Sequence, residues 1–371
     1  MTPTQQFGAP KDVDGQWASC IQVVDMKECA VTSSIELQGN EVALTACACT
    51  FSKLPGQQLV AVATTTDLTF YPREASGGFI HLYRAVDNGR SLQLLHKTPT
   101  DGIIACICAF QDKLVVGMGR TLRMYDLGKK KLLRKCELRT LPTFITGVQA
   151  MGDRLYVSDN QHSLHYVKYR SKDNSLYVFA DDITPRWVTS ALPLDYNTVA
   201  AGDKFGNLVV LRLPTEISDE VEEDPTGGKM IGSQAHLNGA PNKLEALVQF
   251  HVGETVLSLA RTELQPGGQE VLLYGTVMGG IGAMLPFTSR EDVDFFNHLE
   301  MHLRQENAPL CGRDHMAYRS YYFPVKDVID GDLCEQYATL SAELQRKIAD
   351  ELDRTPSEIL KKLEDIRQKI C

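Results

Sequence analysis

No run of 18 apolar residues occurs in the 371-residue sequence, so no membrane-spanning helix is expected. The first residues, MTPTQQFGAPKDVDGQW, lack the apolar stretch of a secretory signal. Basic residues are outnumbered: 38 Lys and Arg stand against 47 Asp and Glu, a formal net charge of −9. A protein that binds nucleic acid on its own normally shows a basic footprint, and this chain as a whole has none, so any RNA contact must be local or shared with a partner. There is no G-x-S-x-G elbow to carry a serine nucleophile and no C-x-x-C hook to start a zinc site. The glycine-rich stretch GTVMGGIGAM (Gly275 to Met284) leads into a strand-like run. A phosphate-binding loop must open a helix, so that backbone N–H groups and the helix dipole face the anion. These absences predict a protein that is not an enzyme and needs no cofactor or metal.

What the chain does have is short apolar runs broken by Gly, Pro, Asn and Asp. LVAVATT (59–65), FIHLYR (79–84), IIACICAF (103–110), LEALVQF (244–250), EVLLYGT (270–276) and GIGAMLPF (280–287) read as strands. Three segments repeat one pattern: DKLVVGMGRTLRMYDL from Asp112, DRLYVSDNQHSLHYVKY from Asp153 and NTVAAGDKFGNLVVLRL from Asn197. Leu114, Leu155 and Val199 hold equivalent places, 41 and 44 residues apart. That is the period of a β-propeller blade, a unit that cannot bury both its faces alone and does so by stacking around an axis. The expected fold is mainly β: a partial propeller of the seven-bladed type, followed by a small C-terminal α-helical domain. Residues 1–16 are expected to be a flexible N-terminus, residues 17–288 some five to six blades, and residues 289–371 the helical domain. Of the ten cysteines, Cys47 with Cys49 and Cys106 with Cys108 are two apart in apolar runs, which puts each pair on one strand face as small buried hydrophobes. Reduced thiols of a nuclear or cytosolic protein are the expectation.

One segment breaks the rhythm. Pro214 to Lys243 begins with six acids between Glu216 and Asp224 and continues through Gly and Pro. It reads either as a solvated, mobile insertion between strands or as an acidic docking loop. After Phe287 the hydrophobic period lengthens to that of a helix. Ser289 is a cap candidate with Asp292 three residues on, and Val293, Phe296, Leu299 and Leu303 form one stripe. Leu344, Ile348 and Leu352 form another. Thr355-Pro356-Ser357-Glu358 is a capping box with proline at the first helical position, and Ile359, Leu363, Ile366 and Ile370 follow it.

Three clusters are candidates for chemistry. His298 and His302 share a helix face and precede Cys311-x-x-x-His315, but the second pair falls in a Gly/Pro loop, and backbone-bonded histidines are the simpler reading. Lys129, Lys130, Lys131, Arg134 and Lys135, with Arg139 beyond, form a basic stretch. It could contact phosphates, or it could be a solvated edge whose lysines block strand pairing. CGRDHMAYRSYYFP (Cys311 to Pro324) sets Arg313, His315, Tyr318 and Arg319 beside Tyr321 and Tyr322, with Asp330 and Asp332 downstream. Arg and Tyr are favoured at interfaces, so this segment is either a partner-binding surface or an internal polar tie at a domain junction.

Several long blocks carry a resemblance. WASCIQVVD (17–25), FADDITPRWVT (179–189), GDKFGNLVVLRLP (202–214), SDEVEEDPTGGK (218–229), SREDVDFFNHLEMHLRQENAPLCGRDHMAYRSYYFPVKDVIDGDLCEQY (289–337) and RKIADELDRTPSEILKKLEDIR (346–367) are similar to the C-terminal part of the splicing factor 3B subunit 3 family. VIDGDLCEQY (328–337) also resembles a wider group that includes damaged DNA-binding protein 1 and the large subunit of the cleavage and polyadenylation specificity factor. The resemblance implies a nuclear, non-catalytic scaffold in pre-mRNA splicing that supports branch-point recognition. Its implied partners are the other splicing factor 3b subunits and spliceosomal snRNP proteins, with pre-mRNA or snRNA contact at most weak and no membrane. The wider group implies two alternatives, a propeller adaptor of a cullin ubiquitin ligase and an mRNA 3′-end processing subunit. The family plan has three propellers, of which this chain carries most of the third and the helical domain.

Overall fold

In the computed structural model, residues 17, 19–223, 239–306 and 312–369 are described. The chain divides into two compact units, residues 1–188 with 215–244, and residues 189–214 with 245–371. It is mainly β, with a set of helices at the end.

In the first unit, β1 (Cys20–Asp25) and β2 (Ala30–Glu36) form an antiparallel pair. β3 (Glu41–Cys49), β4 (Leu59–Thr66), β7 (Gly77–Val86) and β8 (Ser91–Thr100) make a four-stranded antiparallel sheet, with the two-residue strands β5 (Thr69–Phe70) and β6 (Arg73–Glu74) in the connection between β4 and β7. β9 (Ile104–Phe110), β10 (Lys113–Met118), β11 (Thr121–Leu127) and β12 (Leu132–Leu138) make a second such sheet. β13 (Ile145–Met151), β14 (Arg154–Asp159), β15 (Leu164–Arg170) and β16 (Ser175–Asp182) make a third. In the second unit, β17 (Val188–Pro193), β18 (Thr198–Asp203) and β19 (Asn207–Arg212) are followed by β20 (Asn242–His251), whose later residues pair antiparallel with β19. β20 begins in the first unit, where Asn242 to Leu244 pair in parallel with Ala180 to Asp182 of β16. β21 (Val256–Glu263), β22 (Glu270–Thr276) and β23 (Ile281–Met284) form a three-stranded sheet.

The repeated sequence segments are antiparallel hairpins. Leu114 opposes Tyr125, Leu155 opposes Val167 and Val199 opposes Leu211. Their unbroken apolar runs have a packing cause. On β10, Leu114 and Val116 face a core shared with the first sheet, while Val115 faces a second core shared with the third sheet. Successive side chains point to opposite faces, so a strand buried on both sides must be apolar at every position. The third residue after each repeat anchor is small for a related reason. A Cβ on Gly117 would run into Ile145 of the neighbouring β13, and one on Gly202 would run into Val256 of β21. The cysteines pack as small hydrophobes: Cys49 and Cys106 are buried, and all those described are free thiols. Burial pushes the Cys106 thiol up to about 12, so it stays protonated and inert.

The acidic segment departs from the expected mobile insertion over its first part. Thr215–Glu223 is a helix, α1, that buries Ser218 and Val221. Arg154 on β14, fully buried, donates to Ser218 Oγ at 3.1 Å and to Glu222 Oε1 at 3.0 Å, and Lys168 on β15 reaches Glu222 Oε2 at 2.7 Å. The return of the segment is tied as well, since Ala240 N–H donates to Asp181 Oδ2 at 2.9 Å. Residues 224–238 of that expectation lie outside the described residues.

The remaining α-helices belong to the second unit: α2 (Arg290–Glu306), α3 (His315–Arg319), α4 (Gly331–Glu335), α5 (Ala342–Glu351) and α6 (Pro356–Gln368). α6 starts at the predicted capping box, with Thr355 N–H donating to Glu358 Oε2 at 2.7 Å and Glu358 N–H donating to Thr355 Oγ1 at 3.3 Å. The stripes meet in one core of Phe296, Leu299 and Leu303 from α2, Ile348 from α5, and Ile359 and Leu363 from α6, around Tyr337.

Candidate interaction site

The segment that joins α2 to α5 is fastened to the end of β20 and its loop. Lys326 and Gln249 exchange two backbone hydrogen bonds, 3.0 and 3.2 Å long, as an isolated antiparallel bridge. Arg319, the last residue of α3, carries the centre of the tie. Its Nε donates to Asp330 Oδ2 at 2.7 Å, and its Nη1 donates to the carbonyls of His251 and Val252 at 3.2 and 3.3 Å. Its guanidinium lies 4.7 Å from the centre of the Phe250 ring. Asp330, 3% exposed, is also the N-cap of α4, accepting from Leu333 N–H, and its own N–H donates to Glu300 Oε1 at 3.0 Å. Burial raises the Glu300 carboxyl above its ordinary range, and the nearby Asp330 charge pushes in the same direction.

A second polar chain orders the loops beneath. Asp203, at the end of β18, accepts from Phe205 N–H, Asn207 N–H and Asn207 Nδ2. That fixes the Asn207 amide with its oxygen toward His251, whose Nδ1 lies 3.0 Å away and must therefore carry the proton. Burial lowers the His251 pKa, and the Arg319 charge lowers it further against the pull of Asp203. The ring of His251 stacks on Tyr321 at 5.6 Å and meets Tyr318 and Tyr322 at 5.5 Å each. Tyr318 lies on Gly253, which holds a positive φ of 104°, and a side chain there would run into the tyrosine hydroxyl.

The predicted junction residues therefore come together but split by exposure. Arg319, Asp330 and Tyr318 are engaged inside the tie. His315 is 3% exposed, and its Nδ1 makes no hydrogen bond among the described residues. Asp332 has an almost free side chain, 90% exposed, 3.6 Å from Arg319 Nη2. Arg313 is exposed and lies 4.6 Å over the Tyr321 ring. Tyr321, Tyr322 and Phe205 expose nearly half their surface, with Phe205 and Tyr322 5.3 Å apart. This layer of aromatics flanked by an arginine has the composition of a protein-binding surface. His251, Asn207, Phe205 and Glu300 were not singled out from sequence, since nothing local to them marks a partner that lies dozens of residues away.

The other candidates resolve individually. His298 Nδ1 bonds its own helix at Asp294 O, 2.7 Å away, and His302 Nδ1 lies 2.8 Å from Glu351. Cys311 lies outside the described residues. In the first unit, Lys129, Lys130 and Lys131 occupy the exposed turn between β11 and β12, and Arg134 and Lys135 lie on β12, an edge strand of its sheet. Arg134 pairs with Glu137 at 3.3 Å and Lys135 with Asp126 at 3.5 Å.

Comparison with known proteins places this architecture. Spliceosome-associated protein 130 A of Arabidopsis thaliana is 57% identical over 367 residues, 99% of this chain and 30% of the relative. Splicing factor 3B subunit 3 of Danio rerio is 51% identical over 365 residues, 98% of this chain and 30% of the relative. Pre-mRNA-splicing factor RSE1 of Mycosarcoma maydis is 47% identical over 363 residues, with 98% and 30% covered. The chain thus spans about 30% of the length of the curated relatives it matches. The family model described as the CPSF A subunit region matches residues 18–339, from the first strand to the helix-rich end, and the chain belongs to that family.

Proposed function

We propose that this chain acts as a non-catalytic scaffold in pre-mRNA splicing, as part of a splicing factor 3b complex in the nucleus that supports branch-point recognition. The observation that carries this reading is the 47–57% identity, over nearly the whole chain, to relatives named as splicing factors and a spliceosome-associated protein. The succession of four-stranded antiparallel sheets with shared cores supports a propeller arrangement for residues 17–288, ahead of a helical domain at 289–371. Under this reading, partner proteins take the surface around Arg313, Tyr321 and Tyr322, while Arg319 and Asp330 hold it in place.

Affinity capture from nuclear extract with the tagged chain tests the proposal. Recovery of splicing factor 3b subunits is the expected result. Recovery of cullin instead would support a ubiquitin-ligase adaptor, and recovery of cleavage and polyadenylation factors would support 3′-end processing. Either outcome would overturn the splicing assignment.

A further inference from the structure

We propose that the turn Lys129–Lys131, with Lys53 beside it, is a contact surface for the phosphate backbone of RNA. The inference rests on the splicing reading for the identity of the polyanion and on local geometry for its place. Around this turn the cations outnumber the carboxylates that could neutralise them. Lys53, 3.6 Å from Asp126, also donates to the carbonyl of Leu127, which fixes it against the start of the turn. Lys53 and Lys135 share Asp126, while Arg134 and Arg139 share Glu137, which already accepts from the buried Arg123 at 2.9 Å. Lys129, Lys130 and Lys131 make no ion pair among the described residues, and all three are exposed. Asn174 Nδ2 donates to Lys135 O at 2.7 Å, which brings the β15–β16 turn with exposed Lys172 and Asp173 alongside.

Edge protection accounts for Arg134 and Lys135, which lie on the edge strand itself. It does not account for three consecutive lysines in a turn, where there is no ladder to block. The turn is also tight: a Cβ on Gly128 would run into Lys131 O, so the lysines are held in one compact bend. No aromatic residue lies between Leu127 and Leu138, so the turn itself offers bases nothing to stack on, and contact is with phosphate, without sequence preference. On a chain of net charge −9 such binding is local and strongly dependent on salt.

The test is fluorescence anisotropy of a fluorescein-labelled single-stranded RNA of about 20 nucleotides, a length that spans more than one turn-sized site. The purified chain is titrated across a salt series and compared with the triple variant Lys129→Glu, Lys130→Glu, Lys131→Glu. A charge-matched control carries Lys347→Glu on α5, Lys361→Glu on α6 and Lys369→Glu at the C-cap of α6. Single strands release about 0.7 counterion per contact, so loss of three contacts should reduce the slope of log affinity against log salt by about 2 and weaken low-salt binding about tenfold or more. The control should retain most of the binding. Absence of RNA binding by the unaltered chain, equal losses in the two variants, or capture of a polyglutamate peptide but not RNA by these lysines would each overturn the proposal. The nuclear-extract capture reads the splicing assignment separately: if it fails while RNA binding follows the triple variant, only the assignment falls.

Discussion

Two polar stretches meet opposite fates: Lys129 to Lys135 on the second sheet, with five lysines and arginines, and Arg313 to Arg319, between α2 and α4, with two arginines and a histidine. The first remains in solvent, with Arg134 paired to Glu137 and Lys135 to Asp126. The second sends Arg319 inward, to Asp330 and to two strand-end carbonyls, while Arg313 remains outside on Tyr321. What separates them is the acceptor geometry that the rest of the fold supplies. A guanidinium can satisfy carbonyls and a carboxylate together with its planar fork, whereas an ammonium on a flexible stem is cheaper to leave in water.

The largest effect expected from breaking this contrast is at Arg319. Arg319→Ala strands Asp330 as a buried carboxylate and should cost about 3–5 kcal/mol, the range for losing one partner of a buried pair. Urea unfolding would show it, and a loss under 1 kcal/mol would mean the tie carries little. Next is Arg154→Ala, which removes a fully buried side chain together with its bonds to α1, at a cost of about 2–4 kcal/mol. Limited proteolysis should then cut near residues 215–223 faster. If the cut rate is unchanged, α1 is held by Val221 rather than by the arginine.

Stability should also depend on pH. His81 and His251 are both lowered by burial from an ordinary value of 6.5, so below about 6.5 the unfolded chain binds protons that the folded chain refuses. The stabilisation is fully present above 6.5 and is lost as pH falls through it toward the lowered folded values. Glu300, raised from 4.5, acts in the opposite direction: its stabilisation is present below 4.5 and lost as pH rises. Unfolding midpoints at pH 7.5 and 5.5 should therefore fall less steeply for His251→Gln than for the unaltered chain. An identical slope would remove His251 from the account.

The smallest effect on stability belongs to Arg313→Ala, within about 0.5 kcal/mol, because the side chain is exposed. Partner recovery from nuclear extract should drop nonetheless. Loss of stability would put Arg313 inside the tie with Arg319, and no change in either readout would remove it from the interaction surface.

The sequence by itself determined the elements whose cause is local. The repeat around Leu114, Leu155 and Val199 became three antiparallel hairpins, because two-sided burial leaves a continuous apolar signature. The capping box at Thr355 and Glu358 formed as read, since both of its hydrogen bonds span three residues. The tertiary structure alone decided that Thr215–Glu223 is a docked helix: its acids look solvated until Arg154 and Lys168, more than fifty residues earlier, are placed beside Glu222. It likewise decided that Arg319 belongs to the interior and Arg313 to the surface. The two stand six residues apart in one polar segment, and Asp330 together with the carbonyls of His251 and Val252, brought from a distant strand end, tells them apart. Spacing along the chain encodes contacts within a turn or a hairpin, but a charge has its partner chosen by the fold.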